Sequence, residues 1–225
     1  MAHKRTKSPD TDSVAVIGLG RFGGSVADSL VRLGHEVLAI DEQPDVVQHW
    51  SDSLTHVVQA DSTDTTVLEQ LGIADFQRVV VAIGTDIEAS VLTVLAVEEA
   101  GVPEIWAKAI TPKHGRILHR VGADHVVYPE AAMGERVAHL VTGKMIDFME
   151  FDDGFAIVKT RTPAEAIDKT LAEAALRTKY GVTVVGVKRA DEDFTYARPE
   201  TRIREGDLLI VSGPTLKVEE FAAVT

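Results

Sequence analysis

Val14-Ala15-Val16-Ile17-Gly18-Leu19-Gly20-Arg21-Phe22-Gly23 is the stretch on which the fold turns. Its first four residues are apolar without alternation, as in a parallel strand covered on both faces. A Gly-x-Gly-x-x-Gly run follows at once. Phe22, Val26, Leu30 and Leu33 then recur at helical spacing, with Gly34 placed to cap the end. Taken alone the glycine run is a weak signal; between a strand and a helix it has the context that phosphate binding needs. Gly18 permits the tight turn, Gly20 lets backbone approach a pyrophosphate, and Gly23 lets the helix pack close to the strand. The helix N-terminus offers free N–H groups and the positive end of a dipole to an anion.

The same rhythm continues outward. Further strand-like runs occupy 37–40, 56–60, 79–83, 105–109 and 126–128. Between them lie helical patterns: one from Pro44 to Trp50, one capped by Asp64 and ending near Leu71-Gly72, one capped by Thr85 or Asp86 and stopping at Gly101, and one from Pro112 to Gly122. Six strands alternating with helices predict an α/β, Rossmann-like, doubly wound parallel sheet over residues 13–131, behind a polar tail at 1–12. Residues 132–149 are broken only by Gly134 and Gly143 and read as a helical connector. Residues 150–225 change rhythm and predict a small α+β domain. It has strands at 155–158, 183–187 and 208–211, a helix over 170–176, a turn at 191–193 and a last helix from Pro214.

The chain has 225 residues, 45% hydrophobic and 26% charged, with a net charge of −12 and no cysteine. The acidic excess repels a phosphate backbone and argues against a nucleic-acid partner. Without cysteine there is no disulfide, thiolate chemistry or Cys-ligated zinc, as suits a cytoplasmic protein. No stretch reaches the roughly 18 apolar residues that span a bilayer. Ser8-Pro9-Asp10-Thr11-Asp12 follows the basic start where a secretory signal would be apolar.

Site chemistry gathers at the strand ends. Asp41 closes the second strand, where a carboxylate accepts hydrogen bonds from ribose hydroxyls and repels a 2′-phosphate; the alternative is an acid that caps the next turn. Arg21, inside the glycine loop, is placed either to reach phosphate oxygens or to face solvent. Asp61, Ser62 and Thr63 follow the third strand, at the adenine side of such a cleft or as capping residues before Asp64. The eight histidines show no metal-ligand spacing, and His114, His119 and His139 read as residues of polar helix faces. An NAD-dependent oxidoreductase needs an acid–base residue in its substrate domain. No histidine follows His139, which argues against that reading.

The runs GLGRFGGSVADSL (18–30), AIDEQPD (39–45), QADSTD (59–64), Val81-Ala82-Ile83-Gly84, Glu88-Ala89-Ser90, Ile105-Trp106-Ala107-Lys108-Ala109, Gly122-Ala123-Asp124 and Tyr128-Pro129-Glu130 together resemble the RCK domain of the cytosolic subunits of Ktr/Trk-type potassium transporters. The resemblance extends through Leu176-Arg177 and Arg204-Glu205-Gly206-Asp207-Leu208-Leu209, and covers about residues 13 to 223. It implies a non-enzymatic regulator whose first domain binds ATP, ADP or NAD(H), with Phe22, Ile83, Gly84, Glu88 and Lys108 joining the glycine loop and Asp41 at the cleft. It further implies that Arg21 contacts phosphates and that Glu130 helps hold a cation (Mg²⁺, Ca²⁺ or Na⁺) near a γ-phosphate at a dimer interface. An acid stabilised by the helix dipole is the alternative for Glu130, and a lysine at the surface end of its strand is the alternative for Lys108. Some relatives bind cyclic di-AMP in the second module, and Arg177 lies in the matching segment; a surface arginine after a helix is the alternative. The partners implied are a second copy of the chain, an octameric ring built from such dimers, and a membrane-embedded potassium transporter subunit that holds the ring at the inner face of the cell membrane. The rival to this reading is a ligand-binding regulator of another transporter.

Overall fold

The computed structural model describes residues 13–141, 145–151, 153–190 and 192–225. The expected tail at 1–12 lies outside the described residues, as does Asp191 of the expected turn. The chain divides into two units, the first ending at Glu130 and the second starting at Ala131.

The first unit carries β1 (Ser13–Ile17), β2 (Glu36–Asp41), β3 (His56–Gln59), β4 (Arg78–Val81), β5 (Glu104–Lys108) and β6 (His125–Val127). They form one parallel sheet in the order β3-β2-β1-β4-β5-β6. This is the doubly wound architecture expected, and its order reverses between β1 and β4. The helices between strands are α1 (Arg21–Arg32), α2 (Pro44–Trp50), α3 (Thr65–Gln70), α4 (Ile87–Glu99) and α5 (Pro112–Arg120). Each β1 side chain alternates in face. Val14 and Val16 join Leu19, Ala27, Val37 and Ala39 in one buried cluster. Ala15 and Ile17 join Val79, Val81, Val94, Ile105 and Leu118 in another. Burial on both faces explains the unbroken apolar run, each buried Val or Ile contributing about 1.5–3 kcal/mol.

Helix starts follow local chemistry. Asp64 accepts from the Thr66 N–H, Asp86 from the Ala89 N–H, and Thr111 from the His114 N–H. Helix α1 has no side-chain cap and no acid in its first turn, so its first amides are left to another acceptor.

Helix α6 (Pro129–Val141) begins in the first unit and continues into the second. The second unit holds β7 (Asp147–Phe151), β8 (Phe155–Arg161), β9 (Thr183–Lys188), β10 (Thr195–Tyr196) and β11 (Leu208–Pro214) in an antiparallel sheet ordered β10-β9-β11-β8-β7. With α7 (Leu171–Ala174), α8 (Leu176–Tyr180) and α9 (Thr215–Ala222) it makes the α+β unit expected. Phe148, Val158, Leu209, Val211, Val218 and Phe221 are in its core.

Two corrections concern this half. The helical connector expected over 132–149 ends in strand: residues 147–149 belong to β7, hairpinned onto β8. The overlooked signal is Asp153-Gly154, an Asp-Gly pair between two aromatic-rich runs, with Gly154 at φ +73°. The single helix expected over 170–176 is two helices, broken at Ala175, whose φ is +46°. The bend carries Leu176 into the core at 2% exposure, which offsets the cost of the left-handed residue.

Candidate functional site

A cleft of about 440 Å³ opens at the C-terminal ends of β1, β2, β4 and β5, where the strand order reverses. Gly18, Gly20, Arg21, Phe22, Asp41, Asp61, Ser62, Thr63, Ile83, Gly84, Lys108 and Glu130 all line it. The glycines divide the work. Gly18 has φ +89° and its N–H donates to the Ile40 carbonyl at 2.8 Å. A β-carbon on Gly23 would stand 1.8 Å from the Gly18 carbonyl oxygen, so Gly23 is packed behind the cleft and does not line it. A β-carbon on Gly20 would meet nothing within 4 Å, the open side of the loop.

Asp41 holds one end. Its Oδ2 accepts from the Leu19 N–H at 2.6 Å and its Oδ1 from the Gln43 N–H at 2.9 Å. The turn cap is therefore real, and a carboxylate with about four acceptor positions keeps capacity for hydroxyls. Asp61 accepts from the Thr63 N–H and Oγ1–H at 2.9 and 2.7 Å, and these bonds, the hydroxyl's first, hold its carboxyl below the usual range. The Ser62 hydroxyl is buried against Thr93 Oγ1 at 2.8 Å.

Two basic residues also line the cleft. Arg21 is the first, exposed residue of α1. Lys108 reaches into the cleft: its Nζ lies 2.7 Å from Glu130 Oε1 and 5.8 Å from the centroid of the Phe22 ring. It also fills the space beside Gly84, where a β-carbon would come within 3.0 Å of it. The hydrogen bond from Lys108, then Glu130's own backbone N–H and the charges of Lys108 and Arg21, hold the Glu130 carboxyl below the usual range. Among the described residues no group of three or more His, Cys, Asp or Glu is gathered to hold a metal ion. A lone carboxylate paired with a lysine is not a cation site by itself.

Other expectations land elsewhere. Glu88 is in the first turn of α4 but off the cleft wall, since Asp86 and Ala89 face the cleft and turn Glu88 away. Glu42, Gln43 and Val46 line the cleft unforeseen, although their place directly after Asp41 was the available signal. Arg177 is exposed on α8. His114 is corrected: it is 1% exposed, its Nδ1 accepts from the Ile110 N–H at 3.4 Å, and burial pushes its pKa down.

The TrkA-N domain family matches residues 14–129 and the TrkA-C domain family residues 155–224. The chain belongs to the TrkA family. The TrkA-N match contains the whole cleft as far as Pro129, one residue short of Glu130. Ktr system potassium uptake protein C of Bacillus subtilis (strain 168) is 39% identical over 208 residues, covering 92% of this chain and 94% of the relative. Ktr system potassium uptake protein A of Vibrio alginolyticus is 37% identical over 205 residues, covering 91% and 93%. Among solved structures, the GsuK RCK domain matches with a TM-score of 0.65 at 20% identity over 100% of this chain, which spans 50% of that one. The GsuK channel bound to NAD gives 0.64 at 20% identity, covering 96% and 40%. These two likenesses speak for the fold. No helix among the described residues is long and apolar enough to cross a membrane.

Proposed function

We propose that this TrkA-family chain is the nucleotide-sensing regulatory subunit of a potassium uptake system, taking ATP, ADP or NAD(H) in the first unit. The observation that carries the reading is the polarity of one cleft. Asp41 and Asp61 stand on the β2–β3 side and Lys108 at the end of β5, with the uncapped start of α1, which carries Arg21, between them. That order suits a ribose, a diphosphate, and a further anionic or extended group in sequence. The names of the Ktr relatives support the transport role.

Sensing follows from the ion pair. A third phosphate that reaches Lys108 competes with Glu130 for it, so a triphosphate and a diphosphate leave Glu130 differently engaged. Gating draws its free energy from such differential affinity for two states. The regulator is not an enzyme in this reading. It works as a homodimer assembled into an octameric ring, held at the cytoplasmic face of the membrane by a transporter subunit. A cation at Glu130 takes its remaining ligands from phosphate. For cyclic di-AMP, the second ligand of some relatives, the residue in the matching segment is Arg177, and Arg177→Ala should weaken any uptake of it.

Calorimetric titration of the full chain tests the core of the proposal. ADP, ATP and NADH should each bind saturably. NADPH should bind at least about tenfold more weakly, because Asp41 and Glu42 repel its 2′-phosphate. No heat from any of the four ends the reading.

A further inference from the structure

The indole of Trp50, at the end of α2, lies against α1 where Gly24 leaves room: a β-carbon on Gly24 would stand 2.2 Å from its Cζ2. From there Nε1–H donates to the Leu19 carbonyl at 3.2 Å. The Leu19 N–H is held on its other side by Asp41 at 2.6 Å. The carbonyl belongs to the Leu19–Gly20 peptide and the N–H to the Gly18–Leu19 peptide. Each of the two planar units of the glycine loop is therefore oriented by one side chain. In a trans peptide the N–H points opposite to the C=O, so the bond to Trp50 turns the Gly20 N–H away from the indole. Gly20 is the N-cap of α1, where the loop's open side faces the cleft.

We propose that Trp50 is a positioning residue for nucleotide binding: through the Leu19 carbonyl it sets the direction of the amides that meet the diphosphate. The inference deepens the proposed function and rests on it. Asp41 touches both loop and ribose, so occupancy of the cleft is transmitted along Asp41, Leu19 and Trp50 to the indole N–H.

Trp50→Phe keeps a ring beside Gly24 and deletes the donor. Its affinity for ADP and NADH should fall about three- to tenfold, the worth of one such bond, while its melting temperature without nucleotide stays within a few degrees. In the unmutated chain the Trp50 indole N–H resonance should shift on ADP saturation. The chain's other tryptophan, Trp106, gives its N–H to Glu104 at 3.0 Å, and its resonance should stay in place. Trp50→Phe assigns the two signals; should it not fold, Trp106→Phe assigns them and the resonance decides. Wild-type affinity in Trp50→Phe, or a Trp50 resonance unmoved at saturation, overturns the positioning role. No uptake by the unmutated chain overturns the cleft reading itself, and is a distinct outcome.

Discussion

Gly20 and Gly23 belong to one glycine motif and answer to opposite demands. Gly20 faces open space at an ordinary φ of −61°, so a side chain there costs the fold little and obstructs the cleft. Gly20→Leu should keep the melting temperature within a few degrees and weaken ADP binding at least about tenfold by calorimetry. Gly23→Ala forces a β-carbon onto a backbone oxygen and should lower unfolding free energy by about 1–3 kcal/mol or more in urea titrations. Glu130 gives a pH signature. Its folded pKa is lowered, so the stability it contributes is complete above the ordinary glutamate range and is lost as pH falls through the folded value. The group is largely exposed, so screening limits the term to about 0.5 kcal/mol. Between about pH 5 and 3 the urea midpoint should fall less steeply in Glu130→Gln than in the unmutated chain; equal slopes would place Glu130's charge outside the folding balance.

At the scale of elements, end chemistry and burial decide what forms. The Asp64 carboxylate accepts from the Thr66 N–H at 2.9 Å and does not line the cleft. Asp64→Ala should cost about 1 kcal/mol of stability by urea unfolding and leave ADP affinity unchanged. All six strand runs legible in the first unit carry into the sheet within a residue or two at each end, and the central ones are continuous apolar runs because they are buried on both faces. The largest departure is β4, expected to run to Ile83 but ending at Val81, because Ala82 and Ile83 turn into the cleft. In the second unit β7 was hidden. It is an edge strand with only Phe148 buried, so it lacks the dense apolar pattern that marks a central strand.

For the whole molecule, each unit has its own core, and the candidate nucleotide cleft belongs to the first. A ligand at about a hundred times its Kd stabilises the state that binds it by about 2.7 kcal/mol. Hydrogen exchange with ADP should therefore show protection strongest around 17–22, 40–43 and 82–86, the segments that line the cleft. Protection confined to residues after 150 would move the nucleotide site to the second unit.

Consecutive residues were enough to determine the alternation of strand and helix, the glycine loop and the acid that ends β2. Those signals are periodicity, turn chemistry and capping, which act over a few positions. Only the folded chain decided that Lys108 meets Glu130, that His114 is buried, and that Leu19 is gripped by both Asp41 and Trp50. The last two partners lie 22 and 31 residues from Leu19. Their meeting is set by strand order and by the seating of α2 against α1, which no local pattern encodes.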